Sequence, residues 1–211
     1  MKGTEDSREG SHIRQRLLDE GLQCFLKDDY RHVSMRKVAA HAGASMSMIH
    51  YYFNNKEGFF EEILRNWLHS LSDKMKSPQK DISPKNFEEF FLMYYRAALV
   101  HPRFPLLILN TLNSPHAPGA RFLCETILEH GRKSGIHWIN KMKSEGKITR
   151  DIDPELLRIA AVSMCMLPML IRDFLSQQLN ESIDEDFFSR LSSFYARILT
   201  HGIVNTIDEK K

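Results

Sequence analysis

Between Arg31 and Lys56 the chain carries Arg31, Arg36, Lys37 and Lys56, together with His32, His41 and His50, and no acid. Cations with no neighbouring acid make a local electropositive face. The chemistry it suits is non-covalent, holding the phosphates of a nucleic acid. The face is modest, adequate for two copies acting together and weak for one alone. No global field reinforces it, because 29 Lys and Arg against 27 Asp and Glu leave a net charge of only +2.

Other chemistries find less support. Gly43–Ala44–Ser45–Met46–Ser47 superficially fits a nucleophile elbow, but its last position is not Gly and no strand precedes it, as the strained turn requires. Among the ten histidines, His130 and His137 share a helical face but stand two turns apart, too far for one ion. There is no His-x-x-x-His, no Cys-x-x-Cys and no phosphate-cradling Gly loop. The expectation is therefore no metal, no cofactor and no enzyme. Cys24, Cys124 and Cys165 are far apart and sit in apolar helical contexts, so buried thiols in a reducing cytosol are expected.

The elements that must position the basic face are two short helices. Ser34 offers a side-chain oxygen to cap the first, and Met35 to Ala42 contains no breaker. Gly43 stands where a helix ends in a left-handed residue. Ser45 can cap a second helix through Met46, Ser47, Met48, Ile49, His50, Tyr51, Tyr52 and Phe53, with Ile49 and Phe53 inward. Ala39 and Gly43 are small enough to let the two helices approach. This is the pattern of a helix-turn-helix, and equally of an αα-corner in a helical protein.

The wider stretch LLDEGLQCFLKDDYRHVSMRKVAAHAGASMSMIHYYFNNKEGFF, residues 17–60, resembles the DNA-binding region of the TetR family of transcriptional regulators. The resemblance implies a homodimer that reads a palindromic double-stranded DNA operator and is released by a small-molecule inducer. Residue by residue, it implies that Ser34, Arg36, Lys37, Ser45, Met46, Ser47, Met48, His50, Tyr51 and Lys56 meet DNA. Arg36 would reach a base edge or phosphate; Met46, Ser47 and Met48 would face bases; His50, Tyr51 and Lys56 would hold the backbone. Guanine O6 and N7 suit Arg36, and thymine methyls suit the methionines. Ser47 and His50 depart from the residues usual in the family. An imidazole still donates to phosphate, more strongly when protonated.

No stretch alternates at period two, so the expected fold class is all-α. The expectation is about nine helices: a helix-turn-helix domain at 1–55, a linking helix at about 56–76, and a larger helical bundle at 77–211. The first helix is expected from about Ser11, after a disordered polar arm, and Lys76–Pro84 forms a break. Phe87, Phe90, Phe91, Tyr94 and Tyr95 make one face aromatic. An aromatic and Met-rich interior suits an apolar ligand, with Phe91, Tyr94, Tyr95, Arg121, Trp138, Met142, Met166 and Arg172 as candidate lining. Helix 120–144 holds Gly131 and Gly135, and helix 154–179 holds Pro168, expected to kink it. That helix and the last one are apolar beyond a single stripe, so they need two burial partners. One is the core. The other is either the rest of a large bundle or, as expected here, a second copy, met through Leu167, Leu170, Phe187, Leu191, Phe194 and Ile198.

With 42 % hydrophobic and 27 % charged residues, the composition is that of a soluble globular protein. No run is long enough to span a bilayer and the start is not a signal peptide, so a cytoplasmic protein with no membrane partner is expected. The alternative to a DNA-binding regulator is a helical ligand-binding or scaffold protein whose helix-turn-helix is only structural.

Overall fold

The computed structural model describes residues 2–74, 84–114, 118–148 and 151–203, and every regular element among them is helical. In order these are α1 (Lys2–Lys27), α2 (Met35–His41), α3 (Met46–Phe53), α4 (Lys56–Lys74), α5 (Pro84–Val100), α6 (Phe104–Leu112), α7 (Ala120–Phe122), a π-helical turn (Leu123–Leu128), α8 (Glu129–Ser144), α9 (Pro154–Leu170), α10 (Arg172–Leu179) and α11 (Glu185–Ile203). Residues 76–83 of the expected break and 115–117 of the loop before Ala120 lie outside the described residues.

Three departures from the expected nine helices have local causes. First, α1 begins at Lys2 rather than near Ser11; the polar segment holds no proline to stop it. Second, α8 runs unbroken across Gly131 and Gly135, and the irregularity lies upstream, in the π turn. Cys124 sits in that turn, where the α period does not hold, and is exposed rather than buried. Cys24 is half-buried, and only Cys165 is buried, its thiol pushed above its ordinary range by burial.

Third, the helix expected over 154–179 does not end at Pro168. It continues to Leu170 and breaks at Ile171, where α10 turns off by 70°. A proline has no N–H to give the carbonyl four residues back, here Met164. The Tyr95 hydroxyl donates to that carbonyl at 2.5 Å instead. With the orphaned carbonyl satisfied, the helix continues past its proline to Leu170.

The chain divides into two compact units: residues 1–69 with 107–124, and residues 70–106 with 125–211. Segment 107–124 belongs with the first unit, where the Arg65 guanidinium lies 4.4 Å from the Phe122 ring centroid. The first unit's core is Leu17, Leu18, Phe25, Val38, Ile49, Phe53, Phe59, Phe60 and Leu64, all buried. Gly21 makes it possible for α1 and α4 to pack. A Cβ there would fall 2.4 Å from Phe59. Each large apolar side chain buried contributes roughly 1.5–3 kcal/mol.

The second unit is built on α5 and α11, which run antiparallel. Glu88 accepts from Ser193 at 2.5 Å, Tyr95 stacks on Phe188 at 4.2 Å between centroids, and Arg96 pairs with Glu185 at 2.6 Å. Cys165 and Met169 of α9, and Ile139 and Met142 of α8, join this core. Along the α8–α9 seam, Arg132 bonds Glu129 at 2.8 Å and Glu155 at 2.6 Å, and Arg158 bonds Glu155 at 3.0 Å.

Candidate nucleic-acid interface

Helix α2 starts at Ser34, whose extended backbone and side-chain oxygen, 3.4 Å from the Lys37 N–H, make it the N-cap. Its end follows the expectation for Gly43. Gly43 adopts φ +62°, its N–H donates to Ala40 at 3.1 Å, and the Ala44 N–H donates to Ala39 at 2.8 Å. That pair of bonds is a Schellman turn, which satisfies carbonyls at the helix end and redirects the chain. Ser45 then sits at the N-cap of α3 with extended backbone, but its hydroxyl pairs with Ser47 Oγ at 2.7 Å rather than with a backbone N–H. Two neighbouring hydroxyls compete more closely than the N–H groups do.

α3 buries Ile49 and Phe53 and turns the rest outward. Met46 is 37 % exposed and Tyr51 82 %; Ser45, Ser47 and His50 are exposed and Met48 is half-buried. On α2, Arg36 and Lys37 are exposed, and neither is in an ion pair among the described residues. The outer surface of the two helices thus presents hydroxyls, methionines, an imidazole, a phenol and unpaired cations around a common turn. One cation was not anticipated. Arg16 of α1 stands beside the turn, its Nη2 3.4 Å from where a Gly43 Cβ would lie. Only its place in three dimensions shows this, since Arg16 is eighteen residues short of Ser34.

His50 Nδ1 lies 2.8 Å from the Asn54 carbonyl oxygen, which only accepts, so Nδ1 carries the proton. Nε2 of the neutral ring is then an acceptor, and a phosphate contact through it needs the doubly protonated ring. Lys56 differs from the expectation of a free phosphate contact. The residue is half-buried, and its Nζ donates to the Val33 carbonyl at 2.6 Å and the Arg31 carbonyl at 3.4 Å.

Of the candidate ligand lining, Phe91, Tyr94, Tyr95 and Met142 come together in the second unit's core, with Trp138 packed against it. Burial raises the Tyr94 and Tyr95 hydroxyls far above the ordinary phenol range. The Trp138 indole N–H is buried and has no hydrogen-bond partner among the described residues. Arg172 is committed elsewhere, its Nε donating to the Ile183 carbonyl at 2.8 Å. Arg121 is exposed and lies in the first unit. Met166 is half-buried. Among the described residues no group of His, Cys, Asp and Glu is placed to hold a metal ion.

The expected dimer residues divide by depth. Leu167, Phe194 and Ile198 are exposed, while Leu170, Phe187 and Leu191 are half-buried. Sequence reasoning missed Leu156, Ile159 and Val162 on α9, exposed at 65, 50 and 44 %. The near-uniform apolarity of α9 hid which of its faces points outward.

A short helix, a Schellman turn and a second helix with an outward polar and methionine face define a helix-turn-helix DNA-binding domain. Residues 17–63 match the family model of bacterial regulatory proteins, tetR family. This segment carries the helix-turn-helix region that the family model describes, and solved regulators share the fold of the chain. The chain is similar to the ketosteroid transcriptional regulator of Mycobacterium tuberculosis, with TM-score 0.66 and 18 % identity over 91 % of this chain and 95 % of that one. It is similar to the fatty acid degradation regulator of Bacillus halodurans, with TM-score 0.67 and 14 % identity over 88 % and 93 %. A TetR family transcriptional regulator of Thermus thermophilus matches with TM-score 0.66 and 18 % identity over 89 % and 98 %. Comparison with curated protein sequences returns no match.

Proposed function

We propose that this regulator is a homodimeric repressor of the cytoplasm that holds a palindromic operator and lets it go when a small apolar inducer binds. The observation that carries the DNA-reading part is the outward face of α3, where Met46, Ser47, His50 and Tyr51 are exposed around buried Ile49 and Phe53. A helix that served only as a structural corner would have no need to display two large apolar side chains to water. In this reading Arg36 contacts guanine, Met46, Ser47 and Met48 face base edges, and Ser34, Lys37, Ser45, His50 and Tyr51 hold phosphates.

Dimerisation is supported by the apolar outer faces of α9 and α11, Leu156, Ile159, Leu167, Phe194 and Ile198. The inducer class is supported by the aromatic and methionine core with one unpaired indole donor. Regulators of ketosteroids and of fatty acid degradation share the fold, which fits an apolar effector. An inducer releases DNA only if it binds better to the non-binding arrangement of the two halves. Selection of duplexes from a random pool by the purified protein tests the proposal. The expected outcome is an inverted repeat, bound by a dimer and lost with Arg36→Ala. Recovery of no preferred sequence by a folded protein would overturn it.

A further inference from the structure

Lys56 is a cation that directs two of its three donors into the first unit. Its ammonium has three N–H groups. Two meet the carbonyls of Val33, at 2.6 Å, and Arg31, at 3.4 Å, and the charge lies 4.7 Å from the Tyr30 ring centroid. That ring is itself locked, stacked on Phe25 at 5.7 Å and edge-on to Phe60 at 5.2 Å. The loop the cation grips is closed on itself, with the Asp29 carboxylate accepting from the Arg31 N–H at 2.9 Å and the Val33 N–H donating to the Asp29 carbonyl at 3.3 Å.

We propose that Lys56 is a positioning residue, a clamp that fixes the entry of α2 against the junction of α3 and α4, and that it aids DNA binding without contacting phosphate. The inference rests on the DNA-reading role given to α2 and α3. Lys56 is the first residue of α4, three residues beyond the end of α3, and the carbonyls it holds lie just before Ser34, the cap of α2. One side chain therefore ties together the two places that aim Arg36 and Tyr51. Lys37 and Arg36, exposed and outside any ion pair among the described residues, have the free donors that phosphate contact needs. Desolvation lowers the Lys56 ammonium below its ordinary range, opposed by the charge of Asp29, as expected of a cation drawn in from water.

The test compares the full chain with Lys56→Met, which keeps the apolar stem and removes the donors. A short labelled duplex of fixed sequence is titrated at several NaCl concentrations, and amide hydrogen exchange is followed at residues 31–37. The clamp predicts exchange at those residues faster by roughly tenfold or more. It also predicts affinity reduced roughly fivefold to tenfold at every salt concentration, with the slope of log affinity against log salt unchanged. A slope shallower by about one per protomer would mark a phosphate contact and overturn the proposal, as would unchanged exchange. Should Lys56→Met fail to fold, Tyr30→Leu keeps the charge and removes the ring. Faster exchange at 31–37 and weaker binding at unchanged slope are then expected, and no change in either overturns the clamp. Wild-type protein that binds no duplex would defeat the DNA-reading role, while the exchange measurement would still decide the clamp.

Discussion

The two units spend their unusual residues in opposite ways. In the first, the side chains that distinguish it from an ordinary helical corner are outside: Tyr51 is almost fully exposed, and Arg36 and Lys37 stand in water. In the second, the distinguishing groups are inside: a phenol bonded to a proline-orphaned carbonyl, an indole N–H with no partner among the described residues, and a buried thiol. A reader of DNA must meet its partner with groups already solvated, whereas the proposed site for an apolar molecule would work by withholding water. Substitutions should therefore separate stability from binding in one unit and join them in the other.

The largest expected effect is Phe188→Ala. It removes the ring stacked on Tyr95 and should cost about 3–5 kcal/mol, read as a lowered denaturation midpoint. If it costs less than a surface change, the stacked pair is not the centre of that core. Next, Leu156→Asp with Phe194→Asp should give a monomer by light scattering. Operator affinity should fall on the order of 10²-fold or more, because one half-site no longer recruits the other. Tyr51→Ala should weaken operator binding by about 1 kcal/mol, a typical charge-free phosphate or edge contact, and move stability by no more than about 0.5 kcal/mol. A stability loss as large as that of Phe188→Ala would erase the contrast between the units.

The smallest effect is a pH dependence at the α8–α9 seam. Hydrogen bonds from Arg132 hold the Glu129 carboxyl at about 2, and Arg132 and Arg158 hold Glu155 below the usual range. Carboxyls depressed in the folded state stabilise it above their ordinary value near 4.5, and that contribution fades as pH falls toward 2. Arg132→Gln should therefore flatten the thermal-stability curve between those pH values, leaving a smaller difference from pH 7.

What the sequence made legible was whatever acts over a few residues. Ser34, Gly43, Ile49 and Phe53 could be placed because capping, left-handed backbone and helical period are local rules. Ser45 was half legible: its backbone caps, but its hydroxyl had a nearer partner in Ser47. The bond from Arg172 to the Ile183 carbonyl was not legible because it crosses the turn between two helices. The carbonyl contacts of Lys56 were not legible because its partners, Arg31 and Val33, lie more than twenty residues back. Cys124 was misplaced because an apolar helical context does not fix which side a residue faces, and in the π turn it faces outward.

The bond from Tyr95 to the Met164 carbonyl makes positions 95 and 168 energetically coupled although they share no direct hydrogen bond. Tyr95→Phe alone strands a carbonyl, at a cost of about 1–3 kcal/mol. Once Pro168→Ala restores an N–H for that carbonyl, the hydroxyl is redundant, and the second substitution should rescue much of what the first lost. With destabilisation counted positive, a double-mutant cycle would read this as a negative interaction energy. In a lineage of such sequences, the tyrosine would be free to drift only after the proline had gone.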